Sequence, residues 1–264
     1  MLKLYHGPTS VCSQKVRLTL AEIGLDYEGV ILNLQKGEQF DPAYMRLNAE
    51  AVVPTLIDDG LIVVESSLII EYLDKHYNDG RLMPRDVALE VRTRHWLLRC
   101  IAVHAAINTL SFSTAMRAKI LETKTPEEIE IAIARMPDPV NRSKRRDLYA
   151  NGLQSVYVTQ ALLYLHRTFS DMSANLSEGE WVSGPAFGLA DLGLVSYVDR
   201  IERLGFSGMW EENFPAVGTW LAAMQARSSY SSAILDFIPE PMAQAQRVEG
   251  AKYWPELSQL WSNI

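Results

Sequence analysis

Apolar residues in the first 80 positions recur with the spacings of a small mixed sheet and its helices. Short alternating or continuous apolar runs predict strands, and stripes at intervals of three and four residues predict helices. The predicted order is a strand at 2–6, a helix at 11–23, a strand at 27–34, strands at 54–57 and 61–64 around an Asp-Gly turn, and a helix beginning near 66. The order β-α-β, then β-β-α, predicts a thioredoxin-like unit that ends near residue 80.

Beyond Pro84 the strand pattern disappears and long helical stretches follow. They are predicted at 86–122, 144–170, 189–204, 215–227 and 229–236. A short additional helix is predicted after Thr125, because Thr125 and Glu128 match a capping box and Pro126 suits the first helical position. We therefore expect two domains, an α/β domain at 1–80 and an all-helical domain at 86–264.

Charge is distributed unevenly between these two parts. The chain has a net charge of −7, and residues 1–80 hold six Lys and Arg against twelve Asp and Glu. Nucleic-acid binding needs a concentrated basic face, which this chain lacks. Its two cysteines make neither a disulfide framework nor a zinc-binding spacing, and no apolar run reaches the about 18 residues of a membrane span. We expect a cytoplasmic protein that binds neither nucleic acid nor membrane.

Several short motifs stand at fixed places relative to the predicted strands. They are Leu4-Tyr5, the stretch 10–17 (Ser-Val-Cys-Ser-Gln-Lys-Val-Arg), the stretch 53–56 (Val-Pro-Thr-Leu), Glu65-Ser66, the stretch 181–184 (Trp-Val-Ser-Gly) and Ala190-Asp191. In this order and spacing the set resembles the cytosolic glutathione S-transferases over nearly the whole chain. The resemblance implies a thioredoxin-like N-terminal domain with a C-terminal helical bundle, a homodimer, glutathione as co-substrate and no metal ion.

The resemblance assigns Val53 and Pro54 to the cysteinyl backbone of glutathione. A cis proline entering a strand exposes the N–H and C=O of the residue before it, which can then pair with a ligand like an added strand. Ser66 begins a helix whose N-terminus favours a carboxylate, here the γ-glutamyl group, with Glu65 opposite the ligand's ammonium. Each residue also has a plainer interpretation: Pro54 can start an edge strand, and Ser66 can simply cap a helix.

The loop at 36–39 is where related classes place a polar side chain on the glycyl carboxylate of glutathione. Gln39 occupies that place, and Lys36 is an alternative source of charge. Both are also ordinary solvated loop positions.

Glutathione needs a group that lowers the pKa of its thiol, because the thiolate is the nucleophile. Ser10, Cys12 and Ser13 are the candidates. Counted back from 16–17, Ser10 falls at the serine of the theta, delta, zeta and tau classes. Counted from 22–24, Cys12 falls near the beta-class cysteine and Ser13 near the serine of bacterial β-etherases. We predict Ser10 as the activating residue and Ser13 as the next candidate.

Cys12 also permits a different chemistry. A lone cysteine at a helix start can have a low pKa and form mixed disulfides with glutathione. No Cys-x-x-Cys partner is present, which disfavours a dithiol enzyme but leaves a monothiol reductase of the omega type open. The plainer interpretation of Cys12 is a small buried residue at the base of the helix.

The second-substrate pocket of this family lies between the N-terminal unit and the first long helices. Trp96 and Arg99 share a helix face there and are predicted to line it, whereas His95 and His104 are given no role. Asp191 is predicted to be structural. Family members usually carry Ser or Thr three residues before it, and this chain has Gly188.

Together these observations favour a glutathione transferase whose thiolate attacks an apolar, aromatic electrophile. The 120–147 segment and the long tail resemble those of the bacterial β-etherases of lignin breakdown, which implies aryl ether cleavage in aromatic catabolism. Two alternatives remain: a glutathione-dependent reductase that uses Cys12, and a non-catalytic binding module built on the same fold.

Overall fold

A computed structural model describes residues 1–264. Its N-terminal part contains β1 (Leu2–His6), α1 (Val11–Glu22), β2 (Glu28–Ile31), α2 (Pro42–Met45), β3 (Thr55–Asp58), β4 (Leu61–Val64) and α3 (Ser66–Tyr77). The predicted β-α-β and β-β-α order is confirmed as a thioredoxin-like unit. The second strand is shorter than predicted, since residues 32–34 leave the sheet.

The four strands form one mixed sheet in the order β2-β1-β3-β4. β1 runs parallel to β2 and antiparallel to β3, with Leu4 opposite Leu56. Leu4, Leu56 and the inward residues of α1 and α3, among them Leu20 and Ile69, are fully buried. This core fixes the starts of α1 and α3, where the candidate residues lie.

The rest of the chain is helical. Its helices are α4 (Val87–Ser113), α5 (Ala115–Thr123), α6 (Pro126–Ala134), α7 (Pro139–Asn151), α8 (Val156–Glu178), α9 (Leu189–Arg203), α10 (Gly208–Glu211), α11 (Pro215–Gln225), α12 (Ser228–Tyr230), α13 (Glu240–Ala251) and α14 (Trp254–Ser262). None of them is long and apolar enough to cross a membrane.

The boundaries of these helices differ from the prediction in three places. The predicted 86–122 helix breaks at Thr114, whose backbone leaves the helical region, and the predicted 144–170 helix is two helices separated at Gly152 (φ +54°). Helices α13 and α14 occupy a tail for which no helix was predicted. The capping box of α6 is confirmed: Thr125 Oγ1 accepts from the Glu128 N–H at 3.2 Å, and Glu128 accepts from the Thr125 N–H at 2.8 Å.

Asp191 organises the start of α9 from a fully buried position. Its carboxylate accepts hydrogen bonds from the backbone N–H groups of Val182 (2.8 Å) and Gly188 (3.1 Å) and from Trp220 Nε1 (2.8 Å). The hydroxyl that Gly188 lacks is replaced from outside the helix, because Ser183 Oγ accepts from the Ala190 N–H at 3.1 Å. The structural role predicted for Asp191 is confirmed.

Restoring the family's usual serine at position 188 will destabilise this protein rather than stabilise it. A Cβ on Gly188 would lie 2.4 Å from the Leu82 carbonyl oxygen and 2.9 Å from Ser183 Oγ. Overpacking of this kind costs about 1–3 kcal/mol. Thermal unfolding of Gly188→Ser should show a lower midpoint than that of the wild type. An unchanged or higher midpoint for Gly188→Ser contradicts the prediction.

Candidate functional site

The first turn of α1 carries the three predicted activating residues in different environments. Ser10 is the N-cap, and its half-buried hydroxyl accepts from the Ser13 N–H at 3.3 Å. A hydroxyl that accepts in this way still has its own proton to donate. Ser13 is fully buried and accepts from the Gly7 N–H at 3.2 Å. Ser13 therefore anchors the loop before the helix, and Ser10 has the freer hydroxyl.

Two arginines, Arg17, which is buried, and Arg200, which is half-buried, hold the loop that leads into Ser10. Arg17 donates to the carbonyl oxygens of residues 7 and 8 at 3.2 and 3.0 Å, and Arg200 from α9 donates to that of residue 9. Arg17 also donates to the Ala233 carbonyl at 2.8 Å and lies 3.9 Å from the Phe237 ring centroid. All three carbonyls of the 7–9 loop are thus paired with charged donors, which are stronger partners than neutral ones.

The Val53–Pro54 peptide is cis, as the sequence predicted. Val53 is only 7% exposed, yet neither its N–H nor its C=O has a hydrogen-bond partner within the chain. Buried backbone groups are almost always paired, so these two are available to a ligand. Close along the chain, α3 begins at Ser66 after Glu65, whose φ is +69°. The first N–H groups of α3 have no carbonyl inside the helix and carry its positive dipole end.

Cys12 lies in a polar cluster where α1, α4 and α9 meet. Its Sγ is 3.7 Å from the Tyr197 hydroxyl, and Ser66 faces the same phenol. Lys15 is fully buried, donates to Ser67 Oγ at 3.0 Å and makes no ion pair. His104, on α4, faces the thiol, with its ring centroid 6.1 Å from that of Tyr197. The cluster joins the starts of α1 and α3 to the helical region.

The electrostatics of this cluster favour a Cys12 thiolate. Burial acts to raise the pKa of the Cys12 thiol, but the charge and hydrogen bonding of His104, with smaller effects from Lys15 and Tyr197, outweigh it and lower the pKa from 9.0 to about 6. The Cys12 charge in turn raises the pKa of His104. The pair is therefore described as a thiolate beside an imidazolium. Cys100 differs, because burial raises the pKa of its thiol.

The predicted loop residues Gln39 and Lys36 lie beside a contact from the helical region. Gln39 Oε1 is buried without a partner, and Lys36 is exposed. Arg135, at the end of α6, donates to the Gly37 carbonyl at 3.2 Å and lies 5.0 Å from the Phe40 ring centroid. The 120–147 segment thus reaches the loop that was predicted to receive the glycyl carboxylate.

Trp96 and Arg99 are directed toward α8 rather than toward α1. Arg99 stacks on Trp96 at 4.4 Å, pairs with Asp171 at 2.6 Å and donates to Thr168 at 3.1 Å. Trp96 is 3% exposed. Both side chains are committed to packing α4 against α8, and neither contacts the Cys12 cluster.

Three residues of this cluster, His104, Lys15 and Tyr197, were not predicted. His104 on α4 and Tyr197 on α9 come from other helices, so no local spacing joins them to Cys12, whereas Lys15 follows Cys12 by three residues on α1. One signal was available for Lys15, since a lysine in the apolar stripe of α1 needs a polar partner if buried. No group of three or more His, Cys, Asp or Glu side chains in the structure could hold a metal ion.

Comparison with known proteins agrees with the fold described above. Residues 4–81 match the family model described as "Glutathione S-transferase, N-terminal domain". The chain is similar to glutathione S-transferase Z1 of Arabidopsis thaliana, with 44% identity over 86 residues, which are 33% of this chain and 39% of that protein. It is also similar to the tetrachloro-p-hydroquinone reductive dehalogenase of Sphingobium chlorophenolicum, with 25% identity over 88% of this chain and 95% of that one.

A solved structure extends the similarity to the helical region. The crystal structure of the beta-etherase LigF from Sphingobium sp. strain SYK-6 aligns with a TM-score of 0.78 and 26% identity, over 89% of this chain and 99% of that one. The full-length relatives therefore include both a reductive dehalogenase and a β-etherase.

Proposed function

We propose that this chain, which belongs to the glutathione S-transferase family, is a transferase in which Ser10 stabilises the glutathione thiolate for attack on an aromatic electrophile. The observation that carries glutathione binding is Val53, a buried residue whose N–H and C=O are both unpaired after a cis proline. An extended cysteinyl backbone would satisfy both groups. The start of α3 at Ser66 supplies donors and dipole for a carboxylate.

The chemistry that follows is nucleophilic substitution at carbon. Ser10 donates to the sulfur and so favours the thiolate, while its oxygen remains held by the Ser13 N–H. The sulfur forms a thioether bond and the leaving group departs with the electron pair of the broken bond. The similarity to a β-etherase over most of both chains supports aryl ethers as a substrate class, with a phenolate as leaving group.

Glutathione-dependent turnover tests this proposal. We expect retention on immobilised glutathione, an ultraviolet thiolate signal on mixing, and turnover of at least one member of a panel of aryl ethers and aryl halides. Failure of all three supports the non-catalytic binding module. Turnover confined to disulfides supports the second candidate below.

A second function, glutathione-dependent reduction, is favoured by the Cys12 cluster. The Cys12 thiolate would attack the mixed disulfide of glutathione and a thiol, release that thiol and become glutathionylated. A second glutathione would then restore Cys12 and leave as oxidised glutathione, so that glutathione supplies both electrons. Cys12→Ala should abolish this activity without removing conjugation.

The pH dependence of Cys12 alkylation tests the thiolate directly. Because the pKa of Cys12 is lowered to about 6, labelling by iodoacetamide should be half-maximal near that pH and should fall below it as the thiolate is protonated. His104→Ala removes the main cause that lowers this pKa. Once the pKa is back at about 8 or above, the thiolate fraction at pH 7 falls from about nine tenths to about one tenth or less, so labelling at pH 7 should fall by about tenfold or more. Cys12→Ala identifies the labelled site, since Cys100 is 1% exposed. A wild-type midpoint at an ordinary thiol value contradicts the thiolate assignment.

We further propose a homodimer that assembles through α4. Four apolar residues on one stripe of this helix are exposed: Val87 (71%), Val91 (63%), Leu98 (71%) and Ile101 (63%). Arg94 is the one charged residue between them on this stripe, and exposed apolar side chains gathered on one face mark an interaction site. Light scattering should give twice the 29.7 kDa of one chain, and Leu98→Glu should give monomer, whereas Val248→Glu, at an exposed residue of α13, should not. A monomeric wild type contradicts the proposal.

A further inference from the structure

Arg145, on α7, is a guanidinium without a counter-ion. Its Cζ lies 3.3 Å from the ring centroid of Phe112, its Nη2 donates to Asn108 Oδ1 at 3.1 Å, and its Nη1 reaches the Tyr149 hydroxyl at 3.4 Å. No carboxylate lies within ion-pair distance, whereas Arg146, the next residue, pairs with Glu130 on the surface. Neutral groups thus hold the Arg145 side chain in place, and its positive charge is not neutralised.

This position is costly for a charge. Burial lowers the pKa of Arg145, and the residue is only partly open to solvent. A desolvated cation is stabilised most by a carboxylate that takes two parallel hydrogen bonds from the guanidinium fork. Asn108 and Tyr149 occupy two of the five N–H donors, and the others have no acceptor in the chain. Phe112 holds the guanidinium in place by stacking against it, and so supplies an apolar side to the site.

Arg145 stands near the chemistry along α4. His104, which faces the Cys12 thiol, precedes Asn108 by four residues, so the two share a helix face and are separated by about 6 Å along the axis. The guanidinium is bonded to Asn108 and lies beyond it. The interval along α4 between His104, the neighbour of the thiol, and Asn108, the partner of the guanidinium, is therefore comparable with the length of one aromatic ring.

We propose that Arg145, with Asn108 and Phe112, forms a carboxylate subsite of the second-substrate pocket, so that the transferase takes aromatic electrophiles that carry a carboxylate across the ring from the reacting carbon. This inference rests on the proposed transferase function and narrows its substrate class. Asn108 holds the guanidinium of Arg145 in position, Phe112 supplies the apolar surface against which it stacks, and Arg145 supplies the positive charge.

A matched pair of electrophiles tests the subsite. The probes are 4-chloro-3,5-dinitrobenzoate and 4-chloro-3,5-dinitrobenzamide, which differ only in the charge at C1. In both, the glutathione sulfur bonds to C4, chloride leaves with the electron pair of the C–Cl bond, and the thiol proton goes to solvent. Wild type should turn over the benzoate with the lower KM. Arg145→Gln should raise that KM about tenfold or more and change the KM of the benzamide less than twofold.

Control variants separate charge from fold. Arg146→Gln removes the same charge from the same helix and should leave both KM values unchanged. Arg145→Lys keeps the charge but loses the paired N–H donors of the guanidinium, so its KM for the benzoate should lie between those of wild type and Arg145→Gln. An equal loss on both electrophiles, or no loss on either, overturns the subsite and leaves Arg145 a packing residue.

Binding without turnover distinguishes failure of the subsite from failure of the transferase. If wild type turns over neither electrophile, the proposed function is judged on the panel of aryl ethers and aryl halides described above, and the subsite is still tested by thermal shift. 3-Nitrobenzoate should raise the wild-type midpoint more than 3-nitrobenzamide does, and this difference should vanish in Arg145→Gln. Equal shifts with both compounds in wild type overturn the subsite.

Discussion

Replacing Ser10 with glycine will lower kcat/KM for glutathione conjugation about 100-fold at pH 7 and leave the fold intact. A hydroxyl donor that lowers the thiol pKa by about two units supplies roughly 2.7 kcal/mol, which is a factor of about 100 in thiolate. Glycine is the informative replacement, because as an N-cap it costs only a few tenths of a kcal/mol relative to serine. The loss of kcat/KM therefore measures the contribution of the Ser10 hydroxyl rather than a change in the stability of α1.

The pH profile distinguishes this role from a structural one. Below the thiol's ordinary pKa the Ser10→Gly variant lacks thiolate, so its rate should climb toward the wild-type rate as the pH approaches 9. Ser10→Thr keeps a hydroxyl and should retain most activity. Ser13→Ala removes the buried acceptor of the Gly7 N–H and should lower stability without moving the profile. If Ser10→Gly keeps the wild-type profile and Cys12→Ala loses conjugation, Cys12 is the activating residue.

Replacing Asp191 with alanine should destabilise the protein by at least about 4 kcal/mol. Four buried donors lose their acceptor at once: the N–H groups of Val182, Ser183 and Gly188, and Trp220 Nε1. An unsatisfied buried donor costs about 1–3 kcal/mol. Urea unfolding at fixed protein concentration measures the effect as a shift of the midpoint.

Asp138→Ala is the matched control for Asp191→Ala. Asp138 caps α7 through one N–H, that of Val140, at an exposed site, so its loss should cost about 1 kcal/mol. Asp191→Asn keeps the size and one acceptor and should be intermediate, which preserves the test if the alanine variant does not fold. A loss of about 1 kcal/mol or less for Asp191→Ala contradicts the central role of this carboxylate.

Local features of this chain were predictable because their causes are local. The types of the strands and helices along residues 1–80, the Asp-Gly turn at 58–60, the cis proline and the Thr125 capping box each depend on residues within a few positions of one another. Helix ends were less predictable. The break at Thr114 and the helices of the tail depend on packing against distant elements, which overrides intrinsic propensity.

The candidate site was only partly predictable for the same reason. Val53 and Ser66 could be found because a proline and a helix start mark them in the sequence. His104 and Tyr197 lie 92 and 185 residues beyond Cys12, and only the packing of α4 and α9 against α1 brings them together. Arg99 shows the converse. The helix that carries it was predicted correctly, but the direction of its side chain is set by the ion pair with Asp171 on α8.

In the folded protein, cations carried by other parts of the chain lie beside the acidic N-terminal domain. Residues 1–80 carry twice as many acidic as basic residues, and this excess of negative charge opposes the binding of a tripeptide with a net negative charge. The helical region brings Arg135 to the 37–40 loop and His104 to the Cys12 thiol. Lys15, the other cation of this cluster, is buried on α1. Local cations rather than the overall field would therefore hold the ligand.

The arginines around the 7–9 loop also order events during synthesis. Arg200, the partner of the residue 9 carbonyl, lies 191 residues later in the chain. At about 5–20 residues per second a ribosome adds that stretch in roughly 10–40 s. Until then the residue 9 carbonyl lacks this charged donor, although Arg17, the donor to residues 7 and 8, lies in α1 and is made early. The loop beside Ser10 therefore acquires its last charged partner only after about three quarters of the chain has been synthesised.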